Sequence, residues 1–334
     1  MTAQKEINLA LQGGGSHGAF TWGVLDRLLE IEELKISGIS GTSAGAVNAT
    51  LLAYGLMSEG KEKARELLDN FWIKNAKLGS LSPFYPTWLD NMLSPGNLEY
   101  NPYYHLISYL SPYQFNPLNL NPIEWMIKEQ VDFDTIRNND DIKIFISATN
   151  IRTSKLKVFK NKEITAKSIL ASCSLPHFFQ ATEIDGEQYW DGGYLGNPDI
   201  FPLFKYTDCN DLLIVKVHSH TEEKLPVTPF EIQDRATSIS FNSSLMQEVR
   251  HTHFINKLVE KGIDDNGKLK KIHLHLVDAG EILKNFNTSS KANPHWYFVS
   301  YLKEKGKEKA DEWLKENYDK IGVENSCDVE RYFF

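Results

Sequence analysis

Ser43 is the residue of this 334-residue chain best placed for covalent chemistry. It sits at the centre of Gly41-Thr42-Ser43-Ala44-Gly45, a G-x-S-x-G pentad. A nucleophilic serine on a tight strand-to-helix turn needs small neighbours, because the backbone there is strained and its flanks are crowded. The same turn sets the hydroxyl at a helix N-terminus, where free N–H groups and the dipole favour developing negative charge. Without its context, the pentad reads equally as a glycine-rich turn with an idle serine. A second stretch, Gly13-Gly14-Gly15-Ser16-His17-Gly18, can aim successive N–H groups into one concavity, suited to an oxyanion or a phosphate. Gly13, Gly15 and Gly18 also fit the G-x-G-x-x-G pattern of dinucleotide folds. Those folds want an acidic residue at the end of the second strand, and here that strand ends in the serine turn. A third stretch, Asp191-Gly192-Gly193, offers a carboxylate that other backbone can approach closely; in isolation it reads as a turn or capping aspartate.

The elements that would position these groups alternate in the α/β manner. Residues 7–11 and 36–40 read as strands, and 18–30 and 44–57 as the helices that follow them. A charged, helix-favouring run over 59–73 predicts a surface helix. Further strands are expected at 142–148, 156–159, 212–217 and 272–277, and helices around 165–172, 233–261 and 298–320. Residues 37–58 carry no charge, yet their glycines, hydroxyls and Asn48 make a poor spanning helix; a strand, turn and helix buried at the centre of a sheet explain them better. One region breaks the pattern. Residues 82–122 hold seven of the thirteen prolines and nine aromatic residues, among them Phe84, Tyr85, Trp88, Tyr103, Tyr104 and Phe115, with no Lys or Arg. That content is too aromatic for a disordered linker and reads as an ordered excursion covering something.

Composition narrows the function. A formal net charge of −8 with no basic run excludes a nucleic-acid binder. Cys173, Cys209 and Cys327, odd in number and far apart, read as free thiols in a reducing compartment. No basic-then-apolar leader precedes the first strand, so no signal peptide is expected. The pairs His218/His220, His251/His253 and His273/His275 could each chelate zinc from a strand, but no supporting Cys or carboxylate spacing accompanies them, and no metal is expected. His273, His275 or His295 could serve as base in a Ser–acid–His triad; the serine turn, after a single βα unit, comes early for that fold. The final helix gathers Leu302, Ala310, Trp313, Leu314 and Tyr318 near one face, and its other face mixes both charge signs, which fits packing against the sheet better than lying on a membrane.

Taken together, the glycine loop after the first strand, the Gly-Thr-Ser-Ala-Gly elbow 28 residues beyond Gly15 and the later Asp-Gly-Gly resemble the patatin-like phospholipases. Leu175-Pro176, Phe178 and Asn197-Pro198 add to the match, which runs from about residue 7 to 217. The resemblance implies a three-layer α/β/α fold with a mostly parallel central sheet and a Ser43–Asp191 dyad. It also implies an oxyanion hole from the backbone of Gly14, Gly15 and Ser16, and no cofactor. Where the family usually carries Arg or Lys this chain has His17, which leaves the backbone donors intact but removes a permanent cation. His17 and Phe178 are the expected substrate contacts. A lone aspartate is a weak base for a serine hydroxyl, so such a dyad demands a dry pocket with strong oxyanion stabilisation, which suits an acyl chain.

The expected organisation is one domain over residues 1–334, with a catalytic core at 7–217, an insertion at 80–125 acting as a lid, and residues 218–334 completing the fold. The expected activity is hydrolysis of carboxylic esters of phospholipids or related lipids through an acyl-enzyme. The alternatives are a catalytically silent lipid-binding protein on the same fold, or a triad esterase. The expected partner is a lipid or acyl-ester substrate, in the cytoplasm or peripherally at a membrane.

Overall fold

The computed structural model describes residues 4–81, 92–98, 101–102, 106, 109–219, 225–227, 229–263 and 269–334. The aromatics Phe84, Tyr85, Trp88, Tyr103 and Tyr104 of the expected lid, and His220, lie outside the described residues. An eight-stranded sheet runs through the centre: β1 (Lys5–Leu11), β2 (Leu34–Gly41), β3 (Lys143–Asn150), β4 (Lys155–Lys160), β5 (Thr182–Ile184), β6 (Glu187–Asp191), β7 (Asp211–Lys216) and β8 (His273–Asp278). The order is β5-β6-β3-β2-β1-β7-β8, with β4 also paired to β3. β1, β2, β3, β7 and β8 are parallel; β4 and β6 run antiparallel to β3.

Helices cover both faces, which is why the central strands read as unbroken apolar runs. Alternate residues of one strand enter different cores. Leu9, Leu213 and Val215 pack with α1 (Gly18–Leu29), α2 (Ala44–Ser58) and α3 (Lys61–Leu81). Ala10, Leu212 and Ile214 join the other core, while, after the short α4 (Pro112–Phe115), α5 (Pro122–Gln130), α6 (Phe133–Asn138) and α7 (Ala166–Cys173) add Met126, Ile127, Ile136 and Ile169 to the first. That second core is closed by α8 (Phe201–Tyr206), α9 (Pro229–Glu260) and, after α10 (Gly280–Leu283) and α11 (Trp296–Asn317), by α12 (Val329–Phe333). The fold is thus three-layered, α/β/α, on a mostly parallel sheet. α2 is buried from Gly45 to Ala53, as its charge-free sequence demands.

α11 packs on α1 rather than on a membrane, its Val299, Leu302, Ala310 and Trp313 all buried. The two backbones approach until they touch: a Cβ on Gly23 would lie 1.9 Å from the Lys303 carbonyl oxygen, and one on Gly306 would lie 2.0 Å from that of Phe20. Asp26 of α1, buried at 4 % exposure, ties three helices together, holding Arg65 of α3 at 2.7 Å and Lys307 of α11 at 3.3 Å.

β3 carries the topological feature that matters most. Along one of its edges β2 pairs as far as Gly41 opposite Ile146, and β6 takes over with Asp191 opposite Ala148. Because β2 runs parallel to β3 and β6 antiparallel, their carboxyl ends point at each other. The residues leaving those ends are brought face to face.

Candidate active site

Ser43 leaves the end of β2 with φ 55° and ψ −126° and starts α2. A positive φ is rare outside glycine and costs of the order of 1–3 kcal/mol, so the surrounding contacts must hold it. They are specific. The Ser43 N–H donates to Ser172 Oγ of α7 at 2.9 Å, and the Thr42 hydroxyl donates to the Gly196 carbonyl at 2.7 Å. The Ser43 carbonyl accepts from Ala46 N at 2.8 Å, closing the first turn of α2. Gly13 leaves room for the elbow: a Cβ there would lie 2.5 Å from the Thr42 carbonyl oxygen and 2.7 Å from Ser43 Cβ.

Asp191 ends β6, fully buried. Its N–H donates to the Ser174 carbonyl at 2.9 Å, and its own carbonyl accepts from the Thr149 hydroxyl at 2.8 Å, so the backbone is fixed from both sides. Oδ1 accepts from Gly193 N at 2.8 Å, while Oδ2 is buried without a hydrogen bond. Burial pushes the carboxyl up to about 7; the Gly193 N–H and the Ser43 hydroxyl, which faces it short of a full hydrogen bond, oppose the rise. An aspartate in that range is half-ionised near neutrality and basic enough to take a hydroxyl proton.

The glycine loop lies between β1 and α1. Gly13 N donates to Asn197 Oδ1 at 2.7 Å, and the Gly13 carbonyl accepts from His218 Nε2 at 2.7 Å, which fixes that ring nitrogen as the protonated one. Gln12 Oε1 takes the N–H groups of both Val217 and His218, at 2.8 and 3.0 Å, joining the loop to the end of β7. Gly15, at φ +59°, opens a single 3₁₀ turn through His17. Among the described residues, none accepts a hydrogen bond from the N–H of Gly14, Gly15 or Ser16.

His17 is turned inward, 3 % exposed, with Nε2 2.7 Å from Ser290 Oγ and its ring edge-on to Phe298. Burial and the charge of Lys291 push it down to about 3, so it is uncharged at neutral pH. His218 is likewise driven well below the usual range by burial first and Lys291 second. Lys291 is the cation beside this loop, its carbonyl packed where a Gly15 Cβ would stand. Phe178 is half-buried in the turn between α7 and β5, its N–H bonded to the Leu175 carbonyl.

The sequence reading named Ser43, Asp191 and the glycine loop, and the structure gathers them at one end of the sheet. In sequence, Asn197 reads only as part of the family match, His218 only in a possible zinc pair, and Ser172 and Gln12 not at all, yet these four hold the pieces in place. Four of the other described histidines, His275, His273, His295 and His253, sit as follows. His275 Nε2 lies 2.9 Å and His273 Nδ1 3.4 Å from Asp211, the first residue of β7, at the opposite end of the parallel strands from the elbow. His295 caps the start of α11, and His253 lies 3.4 Å from Glu330. Among the described residues no group of three or more His, Cys, Asp or Glu could hold a metal ion, and no described helix is long and apolar enough to cross a membrane.

Elbow, glycine loop and three-layer sheet together define a class of α/β lipid hydrolases. The family follows from a direct match: residues 9–204 fit the patatin-like phospholipase family, and the chain belongs to it. It is similar to "Uncharacterized protein R571" of Acanthamoeba polyphaga mimivirus, 24 % identical over 278 residues that span 77 % of this chain and 84 % of that protein. Among solved structures it is similar to VipD from Legionella pneumophila, with TM-score 0.41 and 14 % identity over 99 % of this chain and 73 % of that one. ExoU of Pseudomonas aeruginosa, solved in complex with SpcU, gives TM-score 0.31 and 15 % identity over 93 % of this chain; the chain spans 53 % of that protein's length.

Proposed function

We infer that this chain hydrolyses carboxylic esters of lipids, with Ser43 as nucleophile and Asp191 as its base. The observation that carries the reading is the pairing of a strained serine elbow with a fully buried aspartate whose Oδ2 has no hydrogen bond and whose carboxyl is pushed up to about 7 by burial. Ser43 Oγ attacks the acyl carbonyl as Asp191 Oδ2 takes its proton. The oxyanion that forms is received by the N–H groups of Gly14, Gly15 and Ser16, which have no acceptor among the described residues. The leaving alcohol departs with a proton from Asp191, and water, deprotonated by the same carboxylate, releases the fatty acid from the acyl-enzyme. A dyad needs no histidine if the developing charge is well met and water is excluded, and the buried carboxyl fits such an environment. Phe178 is the proposed wall for the acyl chain. His17, uncharged and interior, is assigned to support of the loop and offers no cation to a headgroup.

A fluorophosphonate probe on purified protein separates an enzyme from a silent lipid binder. Wild type should be labelled on Ser43 and hydrolyse a short-chain nitrophenyl ester. Ser43→Ala should lose both, and Asp191→Asn should lose about 10³-fold or more in kcat. Wild-type activity in Ser43→Ala would remove the assignment, and an unlabelled wild type would favour the silent reading.

A further inference from the structure

The segment from Tyr109 to Trp125 leaves several large apolar side chains exposed that the site's chemistry does not use. Tyr109 is 86 % exposed, Leu118 78 %, Leu120 68 % and Trp125 52 %, where side chains of this kind are normally covered. Charge is almost absent: Glu124 is the one ionised residue from 109 to 125, and it is bonded to Lys128 at 2.6 Å. Part of the backbone is satisfied locally. Asn116 accepts the Leu120 N–H on Oδ1 and donates through Nδ2 to the Leu120 carbonyl, both at 3.0 Å, so one side chain closes the loop that carries the two leucines. The N–H groups of Phe115, Asn116, Asn119 and Glu124 bond to carbonyls within the segment, and Ile123 N bonds to Asn121 Oδ1. Pro112, Pro117 and Pro122 have no N–H to satisfy. Each backbone group paired locally lowers the cost of entering a water-poor layer.

The segment is joined to the site. Gln180 Nε2 donates to the Asn116 carbonyl at 2.8 Å, and the Ala181 N–H donates to the Tyr113 hydroxyl at 3.3 Å. Between them opens a cavity of about 740 Å³, lined by Tyr113, Leu170, Pro176, Phe179 and Trp190. Leu170 lies on the helix whose Ser172 holds the nucleophile's N–H, and Trp190 precedes Asp191.

We propose that residues 109–125, through the exposed Leu118 and Leu120, dock this protein on the surface of an uncharged or zwitterionic lipid layer. The sign of the interaction follows from charge. The segment holds no Lys or Arg, and the adjoining Lys74, 4.4 Å over the Trp125 ring, and Lys128 are paired to Glu129 and Glu124, so on a protein of net charge −8 anionic headgroups add little attraction. Apolar insertion of the two leucines and interfacial seating of Tyr109 and Trp125 are the terms that remain. The proposal rests on the lipid-hydrolase reading for its choice of partner, but its test does not use turnover.

Sedimentation of the Ser43→Ala protein with phosphatidylcholine vesicles reads the docking directly. Binding should persist at high salt and should not rise when phosphatidylserine is added. Leu118→Ser with Leu120→Ser should weaken it by about tenfold or more. Phe254→Ser, which removes a side chain 60 % exposed on α9, should not weaken it. In the Ser43 background the double leucine variant should hydrolyse a water-soluble acetyl ester at the wild-type rate. The proposal is overturned if phosphatidylcholine vesicles fail to bind, if binding appears only with phosphatidylserine, or if the leucine variant binds normally. It is equally overturned if those substitutions instead dissolve a dimer seen by light scattering. Loss of the hydrolase reading would show separately, as absent labelling in a protein that still binds vesicles.

Discussion

At the scale of single residues, the two groups of the pair carry opposite kinds of cost. Ser43 stores backbone strain, and Ser43→Gly should release it, raising unfolding free energy by about 1 kcal/mol in denaturant titration while abolishing activity. Asp191 stores electrostatic cost. Its folded-state pKa of about 7 lies above that of an unfolded aspartate, near ~4, so ionisation opposes folding. The penalty is absent below the unfolded value, grows as the pH rises between the two, and is complete above about 7. Asp191→Asn should therefore be more stable than wild type at about pH 8, by an amount of the order of a few kcal/mol, and no more stable than wild type at about pH 4. Activity follows the same proton in the other direction. Since the base must be ionised, kcat/KM on a neutral ester should fall as the pH drops through about 7. An acid limb near 4 instead would mean that a solvated carboxylate does the work.

At the scale of elements, what was legible had a local cause. The elbow is announced by small residues between a strand pattern and a helix pattern, and the central strands by apolar runs. β6, which delivers Asp191, went unread because Glu187-Gln188-Tyr189-Trp190-Asp191 is short and polar and pairs only along three residues of β3. Its signal was the preceding Asp185-Gly186, both at positive φ, the turn of a two-residue hairpin. The residues that hold the loop were illegible for a different reason: Asn197 and His218 meet Gly13 from some two hundred positions away, and no spacing rule reaches that far. The burial of His17 is equally a tertiary fact, set by Ser290 and Phe298. The loop's dependence on these props is measurable. Asn197→Ala should lower kcat on a soluble ester about tenfold or more with little change in melting temperature, since it frees one N–H next to the proposed oxyanion donors. Gly13→Ala should lose at least ~100-fold, because its methyl group and the Ser43 Cβ cannot share the space. Near-normal rates in both would show that the loop does not set the elbow.

At the scale of the whole molecule, the sheet alone does not close the fold. α11, distant in sequence, is pressed onto α1 through the Gly23 and Gly306 contacts and pinned by Asp26 with its cations. Both backbones are rigid there, so Gly306→Ala should cost more than about 2 kcal/mol, visible as a shifted urea midpoint. An unchanged midpoint would mean the helices can part without loss. The amphipathic pattern of α11 was readable, but its partner was not, because a helix face says how much it must bury and not against what.

The shared edge of β3 has a consequence in time. During synthesis the elbow can form once β2 is made, yet the carboxylate opposite it arrives only 148 residues later (191 − 43). It is then delivered only when β6 finds the half of that edge which β2 leaves open. If the proposed dyad holds, an unfinished or clipped chain would carry a serine with no base to take its proton. Strand order would then keep the proposed reaction silent until β6 has paired.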